Sequence, residues 1–123
     1  MFTDAFVAIS STNFDLLVKF YAQLFGGEAQ PYRPGVYAEF AIGSLRLGIF
    51  QPKSSNLPKQ SEHHHGGMSI CLEVTNLEQA IDKLSQLDYP PPGDIITASH
   101  GREIYAYDPD GNCLILHQSP DRK

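Results

Sequence analysis

The chain has 123 residues and a formal net charge of −5, from 9 Lys and Arg against 14 Asp and Glu. With no basic cluster to neutralise phosphates, this balance argues against nucleic acid and against an anionic membrane surface as partners. Hydrophobic residues at 41% and charged residues at 19% are ordinary for one folded domain with its own core.

The first element is AFVAIS, Ala5 to Ser10, a short apolar run that reads as a buried strand. Thr12 and Asn13 are good N-cap types. After them Phe14, Leu17, Val18, Tyr21, Leu24 and Phe25 recur at helical spacing, and Gly26-Gly27 closes the helix. A weaker strand is expected around Glu28–Tyr32. Val36–Ile42 and Leu45–Phe50 read as two strands joined by a tight hairpin at Gly43-Ser44. Gln51 to Gly66 is rich in Pro, Ser, Lys and His and reads as a linker or surface loop.

The pattern then restarts. Met68–Val74 reads as a strand, and Thr75 with Glu78 forms a capping-box signature. Leu77, Ala80, Ile81, Leu84 and Leu87 give a second amphipathic helix. Three strand candidates follow: DIITAS, EIYAY and CLILHQ, with the turn cluster DPDG between the last two. No apolar run approaches the roughly 20 residues that span a bilayer. Met1–Ser10 lacks the basic and apolar regions of a secretory signal. Cys71 and Cys113 do not make a disulfide framework. A cytoplasmic protein is expected.

Strand–helix–strand–strand–strand therefore occurs twice, and the repeat is visible in the letters. Thr12-Asn13-Phe14 matches Thr75-Asn76-Leu77, and LRLGIFQ matches CLILHQ when Leu47 pairs with Leu114. The expected organisation is module one at 1–52, a linker at 53–66 and module two at 67–123.

Three segments carry a resemblance to a known family. VAISSTNFDLLVKFYAQLFGG, ICLEVTNLEQAIDKL and GREIYAYDPDGNCLIL, in that order on an internal repeat, resemble the vicinal oxygen chelate superfamily. It includes glyoxalases, bleomycin-resistance proteins, fosfomycin-resistance enzymes and extradiol dioxygenases. The resemblance implies an α+β fold, two βαβββ modules whose curved sheets form an open cup with helices outside. It also implies a homodimer and a small organic ligand. In metal-using members, His, Glu or Gln from the first and last strand of each module hold a divalent ion. Those places fall here on Phe6, Gly48, Ser69 and Ile115. Phe, Gly and Ile carry no donor atom and Ser is a poor ligand. No metal and no cofactor is therefore expected at that centre. Metal-dependent glyoxalase, fosfomycin-transferase and dioxygenase chemistry is disfavoured with it.

The run His63-His64-His65 beside Glu62 invites a metal reading. At ~3.3 Å per residue, His65 stands roughly 13 Å from Ser69 along an extended chain, too far to replace it. The run reads as a solvated loop.

Strand parity with those four positions lists the inward residues: Ala8, Ser10, Arg46, Phe50, Cys71, Glu73, Cys113 and His117. The alternate set, such as Leu47, Ile49, Leu72, Leu114 and Leu116, is apolar and suits the face under the helices. In the family the first and last strands of a module are parallel neighbours. Setting Ser69 beside Ile115 puts Cys71 near His117, with Glu73 able to join the cluster. That pair reads either as a core cysteine beside a hydrogen-bonded histidine or as an activated thiolate. Arg46 reads either as a carboxylate fork for a ligand or as the ion-pair partner of Asp4. Tyr105 and Tyr107 share a face and either line the pocket or only pack. The candidate ligand-binding set is Phe6, Arg46, Phe50, Ser69, Cys71, Glu73, Tyr105, Tyr107 and His117. The expected function is metal-independent binding of a small molecule. The alternative is a lyase or isomerase, metal-free or using a thiolate at Cys71.

Overall fold

A computed structural model describes residues 1–52 and 67–120. The chain divides into two compact units, 1–64 and 65–123. The proposed linker at 53–66, with its histidine run, lies outside the described residues.

Module one runs β1 (Val7–Ser10), α1 (Phe14–Phe25), β2 (Tyr32–Arg33), β3 (Tyr37–Ile42) and β4 (Leu45–Phe50), with sheet order β1-β4-β3-β2. β1 is parallel to β4 and the other neighbours are antiparallel. The apolar stripe of α1 buries Phe14, Leu17, Phe20 and Tyr21. Its partners on the sheet are the alternate residues Leu47, Ile49, Ala38 and Phe40, all buried. Tyr21 and Phe25 both lie against Phe40, with ring centroids 6.4 and 5.9 Å away. Gly26 ends the helix at φ 76°, its N–H on the Ala22 carbonyl, a conformation glycine adopts without steric cost.

Module two repeats the plan with β5 (Ile70–Glu73), α2 (Leu77–Gln86), β6 (Ile96–Ala98), β7 (Gly101–Tyr107) and β8 (Cys113–Gln118), ordered β5-β8-β7-β6. Leu77 and Leu84 of α2 are fully buried, as are Leu114 and Ala106 of the sheet. The β7–β8 turn is held by the buried Asp108. Its Oδ1 accepts from the backbone N–H of Asp110 and of Asn112, both at 2.9 Å, and Oδ2 accepts from Asn112 Nδ2 at 2.8 Å. The fold is α+β with two open four-stranded sheets, as expected.

Besides shifts of one or two residues at the ends of β1, β3, β5, β6 and β7, three details differ from the sequence reading. The strand expected at Glu28–Tyr32 is only Tyr32–Arg33, because Pro31 has no N–H for a ladder. The N-cap of α2 is Asn76, not Thr75, and its side chain accepts from Gln79 N at 2.9 Å. Glu78 instead reaches Arg102 of β7. Finally, the parallel registers are shifted by two residues. Cys71, not Ser69, lies opposite Ile115, and Glu73, not Cys71, lies opposite His117; in module one the partner of Gly48 is Ala8, two residues beyond Phe6. A shift of two keeps every side chain on its own face, so the apolar pattern is blind to it.

Candidate functional site

Among the described residues, each sheet has one face under its own module's helix and one face that this helix does not cover. On the open face of module two, the register aligns side chains in rows across three strands. One row is Cys71, Ile115 and Tyr105; the next is Glu73, His117 and Glu103; Tyr107 stands opposite Cys113. Tyr105 and Tyr107 remain 41% and 38% exposed, while their strand neighbours Ile104 and Ala106 are buried. Large aromatics facing outward on a packed sheet are surface available for contact.

His117 is the centre of the polar row. Its Nδ1 lies 2.7 Å from Glu73 Oε1, and its Nε2 lies 3.0 Å from the His100 carbonyl and 3.1 Å from His100 Nδ1. The two imidazoles stack with centroids 5.2 Å apart. Glu73 Oε2 accepts from Ser119 Oγ at 2.6 Å and from Ser119 N at 2.9 Å. These hydrogen bonds from Ser119 and then His117 bring the Glu73 carboxyl down to about 2. The Glu73 carboxylate in turn raises His117 above its usual 6.5. The donor atoms of His100, Glu103 and His117 all lie within 4.8 Å of one another.

The Cys71–His117 pair does not form. Both ring nitrogens of His117 are engaged by Glu73 and His100, and Cys71 sits one row away against Ile115. Cys71 and Cys113 are free thiols. Ser69 precedes β5 and is exposed.

On the open face of module one, Arg46 pairs with Asp4, as the ion-pair reading expects, and its Nη1 lies 3.5 Å from Glu39 Oε2. Its guanidinium also lies over the Phe6 ring, 5.0 Å from the centroid. Tyr37 donates to Glu39 Oε1 at 2.8 Å. Phe6 and Phe50 are exposed.

The metal places implied by the resemblance do not fit an ion. Phe6, Gly48 and Ile115 bring no donor and Ser69 a poor one. At Gly48 the space is also filled: a Cβ there would stand 2.6 Å from the Tyr37 hydroxyl.

Two residues around His117 escaped the sequence reading. Glu103 shares parity with Tyr105 and Tyr107, so alternation alone places it on this face. His100 occupies the turn between Ala98 and Gly101, where no periodicity applies.

Residues 5–116 match the model of the Glyoxalase/Bleomycin resistance protein/Dioxygenase superfamily. No curated protein matches the sequence. Among solved structures, the bleomycin resistance determinant encoded on transposon Tn5 is similar at TM-score 0.69 and 21% identity, covering 98% of this chain and 100% of that one. The fosfomycin resistance protein FosX from Listeria monocytogenes gives 0.72 and 17%, covering 98% and 95%. Lactoylglutathione lyase from Agrobacterium tumefaciens gives 0.69 and 20%, covering 94% and 92%. At these identities the likeness is one of fold.

Proposed function

The chain belongs to the Glyoxalase/Bleomycin resistance protein/Dioxygenase superfamily, and from that premise we propose that it binds a small organic molecule without the superfamily's central metal. The observation that carries this reading is the pair Tyr105 and Tyr107, held outward by a sheet whose other face is packed. Beside them stand Cys71 and Ile115, and beyond these the polar row of Glu73 and His117. An apolar floor with a few polar groups at its edge is the usual composition of a small-molecule site. Phe6, Phe50 and Arg46 give the open face of module one the same character. Arg46 is engaged by Asp4 and Glu39, so its fork is less available to a ligand than its sequence position alone implies.

Similar folds include proteins whose names give resistance to bleomycin and to fosfomycin. Sequestration of an organic compound is therefore the form of binding proposed. An enzyme of lyase or isomerase type is the other reading. Its thiolate version loses its base, because His117 is held by Glu73 and His100. Its metal-free version would draw on the Glu73–His117 pair, whose imidazole keeps its proton to higher pH than a free histidine.

A thermal-shift screen against antibiotics and small metabolites tests the binding reading, since a ligand of the folded state raises the melting temperature. For any hit, Tyr105→Ala is expected to weaken binding about tenfold, or about 1.4 kcal/mol. Affinity unchanged in both Tyr105→Ala and Tyr107→Ala would remove this face as the binding site. The resemblance also leads us to infer a homodimer. Sedimentation velocity reads the mass directly, and a monomer at tens of micromolar would overturn it. Among the described residues, no helix is long and apolar enough to cross a membrane.

A further inference from the structure

We propose that His100, Glu103 and His117 form a binding site for one divalent transition-metal ion of the zinc class, apart from the superfamily's central position. The inference does not rest on the small-molecule reading. Its three donors come from the β6–β7 turn, from β7 and from β8, and their ligand atoms lie within 4.8 Å of one another. Two imidazole nitrogens and a carboxylate suit Zn²⁺, Co²⁺ or Ni²⁺; Ca²⁺ and Mg²⁺ prefer oxygen alone.

The distances agree with a shared ion. Two nitrogens each ~2.05 Å from one zinc are about 3.4 Å apart at the tetrahedral angle and about 2.9 Å apart at a right angle. His100 Nδ1 and His117 Nε2 are 3.1 Å apart. Glu103 stands directly across the ladder from His117, on the same face. A histidine ligand usually has its second ring nitrogen fixed by a carboxylate or carbonyl. Glu73 does this for His117 at 2.7 Å, and Ser119 fixes Glu73 through two hydrogen bonds.

Gly101 explains why the turn can bring His100 so close. It sits at φ +128°, and a Cβ there would stand 2.3 Å from the Gln118 carbonyl and 3.1 Å from His117 Nε2. Only a residue without a side chain admits this approach. The site is also distinct from the superfamily's place on β8. His117 is two residues beyond Ile115, about 7 Å along the strand.

The proton balance is simple. Without an ion, His117 Nε2 lies within hydrogen-bond distance of the His100 carbonyl and of His100 Nδ1. An arriving ion takes the Nε2 lone pair, any proton held there leaves to solvent, and Nδ1–H faces Glu73. Three protein ligands leave the remaining coordination positions to water.

The test titrates Zn²⁺, and then Co²⁺, into the full chain carrying His63→Ser, His64→Ser and His65→Ser, so that the histidine run contributes nothing. Calorimetry is expected to show one equivalent bound, and Co²⁺ a visible d–d absorption. In the same background His100→Ala and His117→Ala are expected to abolish binding, and Glu103→Gln and Glu73→Gln to weaken it at least about tenfold. Circular dichroism checks that each variant folds. If His117→Ala does not, His100→Ala carries the test alone, because its side chain lies in an exposed turn. Absence of a stoichiometric ion in the triple-serine protein overturns the proposal. So does binding that His100→Ala leaves unchanged.

Discussion

Gly48 shows how one residue decides what a sheet face can hold. It lies in β4 opposite Ala8 and Glu39, at a place where the family resemblance implies a ligand in metal-using members. The Tyr37 ring occupies the space a side chain would need: a Cβ would meet its hydroxyl at 2.6 Å and Cε1 at 3.0 Å. The phenol is held there by its hydrogen bond to Glu39. Gly48→Ala must displace it, and overpacking of this kind costs about 1–3 kcal/mol. Urea denaturation reads the cost. Tyr37→Phe removes the nearest atom, so Gly48→Ala is expected to cost less in that background. Equal cost in both would show that the phenol is not the obstacle. That Gly48 carries no side chain was legible in the letters. The tyrosine that fills its place was not, because it depends on the β3–β4 register rather than on any motif.

At the scale of elements, helix α2 shows where local signals compete. Thr75 with Glu78 and Asn76 with Gln79 both fit a capping box, one residue apart. Tertiary structure chooses the second, because Glu78 is drawn to Arg102 of β7 by bonds of 2.6 and 2.9 Å. Asn76→Ala is expected to cost about 1 kcal/mol, the usual worth of an N-cap, and Thr75→Ala much less. Thermal melts of the two variants decide which residue caps the helix. The same contact makes a pH prediction. The Arg102 hydrogen bonds bring the Glu78 carboxyl from its ordinary 4.5 down to about 2. A carboxyl lowered on folding stabilises the fold above its unfolded value, and that contribution disappears as pH falls through the folded value. The stability gap between the wild type and Glu78→Gln should therefore be full above pH 4.5 and close as pH falls towards 2. A gap independent of pH over that range would mean that the Glu78–Arg102 contact does not persist in solution.

At the scale of the whole molecule, the internal repeat is what made the fold legible. Phe14–Phe25, Leu45–Phe50 and Cys113–Gln118 have the bounds their periodicity predicts, because long amphipathic runs carry their own phase. The alternation also assigned faces correctly: Leu47, Ile49, Leu114 and Leu116 are all buried, while Phe50, Tyr105 and Tyr107 are exposed. What alternation cannot carry is a shift of two along a parallel neighbour, which put His117 beside Cys71 in place of Glu73. Nor does it reach a turn residue such as His100, whose position follows from the backbone of Gly101. The repeat leads to one more prediction. Leu47 and Leu114 occupy matching positions, each in the last strand of its module, and both have no exposed surface. Each faces the side of its sheet that the module's own helix covers. Leu47→Ala and Leu114→Ala should therefore each cost about 2–5 kcal/mol, the range for a buried leucine whose cavity only partly collapses. Equilibrium unfolding in urea measures both. A cost below about 1 kcal/mol at either position would mean that the leucine does not stand in a closely packed core in solution.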